Sequence, residues 1–246
     1  MNATIVGETG IEIRTVSTIV ELTEFSDVLQ RVWGMSSPLV TIELARAIAH
    51  SGGYVAGAFA PSGSMVGASI AILARHGDRP ALHSHVTGLL PVARRHGVGR
   101  AMKLHQRAWG RERGIEFITW TFDPLVRRNA WFNIAVLGAD VDEYLPSFYG
   151  EMIDAINAGD DSDRLHVTWN VTAELPERQR DGLDAGHQPV GLVPTPEDII
   201  ELRRTDPDAA VRWRRSTRDA LLAALGAGHR VVAFTRDGNY VIGDHP

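Results

Sequence analysis

The chain has 246 residues, 44% of them hydrophobic, so it can bury a real core and wholesale disorder is excluded. A formal charge of −5, from 25 basic and 30 acidic residues, argues against a dedicated nucleic-acid binder. Cysteine is absent, which rules out disulfide frameworks, cysteine zinc sites and thiol nucleophiles, and only Lys103 among the basic residues is a lysine. The first twenty residues carry Glu8, Glu12 and Arg14 and no long apolar run, so no secretory signal is read and a cytoplasmic location is expected by default.

Residues 11–15 alternate apolar and polar and predict a first strand. Thr18-Ile19-Val20-Glu21 fits a capping box opening a helix towards Trp33, with Phe25, Val28, Leu29 and Val32 on one face and Gly34 as its stop. Ser37-Pro38 begins a second helix that ends before Gly52-Gly53. Residues 51–74 hold no charged side chain, which is long enough to cross a bilayer. Pro61-Ser62-Gly63-Ser64 at its middle are turn formers, however, and a broken span would leave backbone groups unpaired in lipid. Two strands, 54–60 and 65–74, joined as a hairpin are expected instead.

Residues 81–90 predict a strand, and 98–113 a helix with Val98, Ala101, Met102, Ala108 and Trp109 apolar and Gly114 as C-terminal cap. A strand over 116–122 ends at Asp123-Pro124, a short apolar helix covers 129–137 up to Gly138, and strands recur at 141–149 and 165–171. Asp160-Asp161-Ser162-Asp163 lacks the spacing of a calcium loop and reads as a solvated turn. Pro176, Pro189, Pro194 and Pro196 mark residues 173–197 as a linker. Beyond it, 207–225 is helical, and 229–235 pairs with 239–242 across Arg236-Asp237-Gly238. The order is that of an α/β (α+β) protein with mixed strand directions.

The segment Leu89-Leu90-Pro91-Val92-Ala93-Arg94-Arg95-His96-Gly97-Val98-Gly99-Arg100 follows a strand and opens a helix. Its glycines leave backbone N–H groups without side-chain cover, and free amides at a helix start favour an anion. Arg94, Arg95 and Arg100 add the charge that makes hydrogen bonds to phosphate strong. A pyrophosphate suits this loop. The dinucleotide fingerprint needs a third glycine where Met102 stands, and no Gly-Lys-Ser/Thr triplet supports a P-loop.

Pro91, Arg94, Gly97 and Gly99 resemble, without gaps, the pyrophosphate loop of the GNAT superfamily of acyl-CoA-dependent N-acyltransferases. That pattern is a strand, a proline, then Arg/Gln-x-x-Gly-x-Gly/Ala opening a helix, and the element order resembles the family's over residues 11–172. The run from Thr121 through Arg128-Asn129-Ala130, Asn133, Leu137-Gly138-Ala139 and Tyr144 to Tyr149-Gly150-Glu151-Met152 resembles a branch of predicted acetyltransferases. The resemblance implies a mostly antiparallel sheet flanked by helices, with acetyl-CoA or another acyl-CoA as co-substrate and no metal. It implies direct attack by an amine, in a ternary complex. CoA contacts are expected from Leu89, Leu90, Arg94, Arg95, His96, Gly97, Val98, Gly99, Arg100 and Asn129, with backbone N–H groups around Leu89 and Leu90 as oxyanion donors.

Many members place a tyrosine four residues before the glycine ending the later helix, as the acid for the thiolate. Here Ile134 stands there, leaving Tyr144 and Tyr149 as substitutes or as ordinary strand residues burying their rings. His83 and His85 share a strand face by its two-residue period, and His85, nearer the strand end, is the base candidate. Packing against helices is the alternative for both. Asp123 either orients a cationic acceptor or caps the approach to Asn129.

The expected organisation is a catalytic domain over 11–172, a linker over 173–197 and an extension over 198–246 that packs on it or on a partner subunit. Arg203, Arg204, Arg212, Arg214, Arg215 and Arg218 are diluted by Glu201, Asp206, Asp208 and Asp219, so a solvated or inter-element ion-pair face is expected rather than a nucleic-acid site, with Trp213 as packing anchor. The partners read are an acyl-CoA and a small-molecule amine, with no nucleic acid or membrane; a homodimer is compatible with the resemblance. The alternatives are a non-catalytic acyl-CoA binder and an N-succinyltransferase acting on amino acids. A metal hydrolase built on His83-x-His85 lacks a third ligand at sensible spacing.

Overall fold

The computed structural model describes residues 5–6, 10–94, 97–150, 160–175 and 189–244. By compactness the chain divides into two units, residues 1–119 with 170–172 and residues 120–169 with 173–246.

The first unit contains β1 (Ile5–Val6), β2 (Glu12–Thr15), α1 (Ile19–Trp33), α2 (Ile42–His50), β3 (Tyr54–Phe59), β4 (Met65–His76), β5 (Arg79–Leu89), α3 (Val98–Arg111) and the first half of β6 (Phe117–Phe122). Strands β1 to β5 pair in sequence, each antiparallel to its neighbour, and β5 pairs in parallel with the start of β6. The capping box is present: the Glu21 amide donates to the Thr18 hydroxyl and the Thr18 amide to the Glu21 carboxylate. Gly34 closes α1 in the left-handed region, as a residue without Cβ can at little cost. Leu22, Phe25, Val28 and Leu29 bury one face of α1 against Ala45, Val55, Ile70 and Val86.

All of β3 and the first seven residues of β4 are buried, which accounts for the charge-free run from 51 to 74. Pro61-Ser62-Gly63-Ser64 turns between them, and among the described residues no helix is long and apolar enough to cross a membrane. Helix α2 begins later than Ser37-Pro38 suggests. Its cap is Thr41, whose hydroxyl accepts from the Leu44 amide at 3.3 Å, a bond that a side-chain acceptor at this point alone can supply.

The second unit continues with α4 (Arg127–Ala130), β7 (Asp140–Leu145), β8 (Arg164–Asn170), β9 (Gly191–Pro194), α5 (Ile199–Thr205), α6 (Pro207–Gly226), β10 (Arg230–Phe234) and β11 (Asn239–Gly243). Strands β7 and β8 are antiparallel, and β10, β11 and β9 form a separate antiparallel sheet in that order. Three expectations change here. Residues 191–194 of the expected linker are a strand, because Tyr240, Val241 and Ile242 of β11 offer a ladder to Val193, Leu192 and Gly191. The apolar helix expected over 129–137 is α-helical only to Ala130, then widens into a π-helical turn over Trp131–Val136, in which the Leu137 amide bonds to the Phe132 carbonyl five residues back. The acidic turn is solvated only at Asp161: the side chains of Asp160 and Asp163 are buried. The whole remains a mixed α/β fold with a mostly antiparallel sheet flanked by helices.

Candidate functional site

The β5–α3 connection holds most of the expected CoA contacts. Leu89 ends β5 opposite Gly67, and the Leu90 amide donates to the Val66 carbonyl at 2.9 Å, so Leu90 is seated on β4 with its side chain buried. A short 3-10 turn, Pro91–Ala93, leads to an exposed Arg94 whose Nε donates to the Leu89 carbonyl at 3.1 Å. Arg95 and His96 lie outside the described residues. Gly97 then enters α3 with φ +75°, a conformation that costs an L-residue roughly 1–2 kcal/mol. Gly97, as N-cap, offers α3 no side-chain cap, and a Cβ placed on it would meet nothing within 4 Å. The first turn of α3, at Val98, Gly99 and Arg100, therefore presents open amides at the positive end of the helix. Gly99 lies close against Leu89, where a Cβ would stand 3.6 Å from the leucine Cδ1.

Upstream, β5 is interrupted. Ile70 pairs with Val86 and Ala71 with Ser84, so His85 is an extra residue, a β-bulge, in the β4–β5 ladder. The two-residue period is broken at this point. Before the bulge Ser84 faces α3, where its Oγ accepts from the Lys103 ammonium at 2.9 Å. After it Val86 packs with Leu22 and Phe25 of α1, and a Cβ on Gly88 would strike the Trp33 ring at 2.5 Å. Leu89, of odd number, now faces α3 with Val98 and Met102. His83 and His85 are thus not equivalent. His83 is half-buried, its Nδ1 3.1 Å from the Thr119 hydroxyl, whereas His85 is exposed at the bulge. Surrounding protein atoms still hold the His85 imidazole below its ordinary pKa by desolvation. Lys103 was not singled out as a site residue by its local sequence. It is 6% exposed, and burial pushes its ammonium down to about 7.

The second unit holds the remaining expected site residues. Asn129 is exposed on α4. Tyr144 is buried and donates to the Asp163 carboxylate at 2.5 Å; burial first, then that bond, push its phenol well above the usual range. Tyr149 is 42% exposed, with its hydroxyl 3.1 Å from that of Thr121 and the Arg164 guanidinium over its ring. Asp123 accepts from the Leu125 amide and is gripped by Arg203 at 2.5 Å and Arg214 at 2.8 Å. Burial alone would raise its pKa, but the two guanidiniums outweigh burial and hold the carboxyl well below the usual range. Arg203 and Arg214 also reach Asp160, and Arg218 reaches Asp161 and Asp163, both at 2.6 Å. Arg203, Arg214 and Arg218 thus form an inter-element ion-pair face, whereas Arg204 pairs with Glu201 on its own helix; Trp213 packs with Leu125, Val126, Ile199 and Ala210. Among the described residues no group of three or more histidines and carboxylates is placed to hold a metal ion.

The fold has counterparts in solved structures. The ribosomal-protein-S5-alanine acetyltransferase of Vibrio fischeri aligns with a TM-score of 0.54 and 12% identity, over 71% of this chain and 100% of that one. The GNAT superfamily phosphinothricin acetyltransferase of Sinorhizobium meliloti, solved with acetyl-CoA, aligns with a TM-score of 0.50 and 15% identity, over 67% and 92%. The fold is that of the GNAT acetyltransferases. An aminoglycoside 6′-acetyltransferase type Ii is similar in the same way, with a TM-score of 0.51 and 16% identity over 67% and 99%. No protein-family model and no curated protein sequence matches the chain. The three GNAT neighbours are named for three different acceptors, so a common fold leaves the acceptor open.

Proposed function

We propose that the chain is an acyl-CoA-dependent N-acyltransferase that moves an acetyl or other short acyl group to an amine of a small molecule. The observation that carries this reading is the start of α3 on a left-handed, open Gly97, the helix that follows β5 in a GNAT fold. The amides of residues 97–100, with Arg94 and Arg100, suit a pyrophosphate; Arg95, His96 and Asn129 are proposed as further CoA contacts. The thioester supplies an electrophilic carbonyl. Oxyanion donation falls to the backbone beside Leu89, since the Leu90 amide is engaged with Val66.

His85 is proposed as the base that accepts the proton of the attacking amine. It is exposed at a bulge, and its depressed pKa keeps it unprotonated at neutral pH. Tyr149, a partly exposed residue, suits an acid for the thiolate better than Tyr144, whose proton is held by Asp163. Residues 11–172 are proposed as the acyltransferase part and 198–246 as an extension, whose α6 meets Asp123 and whose Tyr240 hydroxyl donates to the Pro124 carbonyl at 2.6 Å.

Calorimetry with acetyl-CoA tests the loop. Gly97→Asp is expected to weaken binding at least about tenfold, or ~1.4 kcal/mol, through lost amide approach and charge repulsion; unchanged affinity would sink the CoA reading. Thiol release with a panel of amines separates an enzyme from a non-catalytic acyl-CoA binder, and mass spectrometry with succinyl-CoA and amino acids separates the N-succinyltransferase reading. His85→Ala should lower turnover at least about tenfold while acetyl-CoA affinity stays within about twofold. Equal turnover would remove His85 from the mechanism.

A further inference from the structure

Helix α3 holds β5 on both sides of the bulge. On the near side, Lys103 donates to Ser84, the residue immediately before His85, and both side chains are buried. On the far side, Leu89 packs against Gly99, Val98 and Met102 at the start of the same helix. Were His85 paired in strict alternation instead of bulged out, even-numbered residues would stay on the α3 face and Leu89 would turn away from the helix start. The bulge is therefore what lets one helix clasp Ser84 and Leu89 together, and His85 is the residue left over between the two contacts.

The residue type at position 103 fits this duty. The chain uses arginine at every other basic position, yet an amine stands here. A guanidinium cannot shed its charge on burial and presents five donors, whereas an ammonium is compact and loses its proton when desolvated. A buried site whose partner on β5 is a hydroxyl suits the amine.

We propose that Lys103 is a positioning residue for the reaction: through Ser84 it fixes the β5 bulge and so sets the aim of His85 relative to the start of α3. This rests on the acyltransferase reading, in which His85 takes the proton of the amine.

The test uses Lys103→Met, which keeps length and removes the amine, and Ser84→Ala, which removes only the acceptor. In the full-length protein each is expected to lower kcat for thiol release at least about tenfold, with the KM for acetyl-CoA within about twofold, and the double variant to lose no more than the worse single one. The His85 imidazole, followed by NMR, should change its titration midpoint by more than about 0.3 pH unit in both variants. Unchanged kcat in folded variants with an unmoved His85 titration would overturn the proposal. If Lys103→Met does not fold, Ser84→Ala decides by the same readouts. If the wild type releases no thiol with any amine, the acyltransferase reading fails. The His85 titration then decides the Lys103–Ser84–His85 link alone, a moved midpoint supporting it and an unmoved one refuting it.

Discussion

Arginine does opposite work in the two units. At the start of α3, Arg94 and Arg100 meet no carboxylate within ion-pair distance among the described residues, and the backbone beside them is open. On α5 and α6, Arg203, Arg214 and Arg218 are held by Asp123, Asp160, Asp161 and Asp163, and Arg214 is 1% exposed. The same side chain goes without a carboxylate in one place, among the described residues, and is a buried cross-link in the other. What decides is the supply of carboxylates, and charge density along the sequence says nothing of that supply.

The sharpest way to break this contrast is to remove one carboxylate. Asp123→Ala leaves Arg203 and Arg214 buried with part of their compensation gone, and should cost about 3–5 kcal/mol in chemical denaturation; a loss below about 1 kcal/mol would make the cluster ornamental. A smaller effect comes from Lys103, the buried cation of the first unit, whose bond to β5 ends on a hydroxyl. Its pKa of about 7 in the fold lies below the ordinary value near 10.4 of the unfolded chain, so the unfolded state binds more protons between those two pH values. Stability should rise with pH there and level off below pH 7. Relative to Lys103→Met, the wild type is expected to gain about 2 kcal/mol from pH 7 to pH 9, and a flat difference in thermal or denaturant unfolding would refute the assignment. Least of all should follow from Arg100→Ala, with stability within about 0.5 kcal/mol of wild type. Acetyl-CoA affinity should still fall roughly three- to tenfold by calorimetry, as one charge-assisted contact is lost.

Features with local causes were legible in the sequence. The Thr18–Glu21 box, the hairpin around Pro61-Ser62-Gly63-Ser64 and the glycine turn at 97 each depend on residues within four or five positions, and each stands where it was expected. The features that escaped depend on distant partners. Nothing near His85 marks a bulge, because a bulge is a mismatch between two strands, and Ile70 and Ala71 supply half of it. The Asp160–Asp163 turn reads as solvated until Arg203, Arg214 and Arg218, some 40 to 60 residues later in the chain, are folded onto it. The strand at 191–194 is hidden by its prolines and glycines until β11, nearly fifty residues on, offers a ladder. Lys103 had a visible signal, its uniqueness among arginines, but its meaning needs burial to be known.

The buried position of Lys103 also turns the folded protein into its own opening gauge. Amine-reactive esters find one ε-amine in the whole chain, and it is covered by the contact of α3 with β5. Side-chain labelling must wait until that contact parts, so its rate, read by mass spectrometry at one site, reports the local opening of α3 without an introduced probe. Occupying the start of the helix with acyl-CoA should slow that rate, and the slowing measures how firmly a ligand at one end of α3 holds its middle shut.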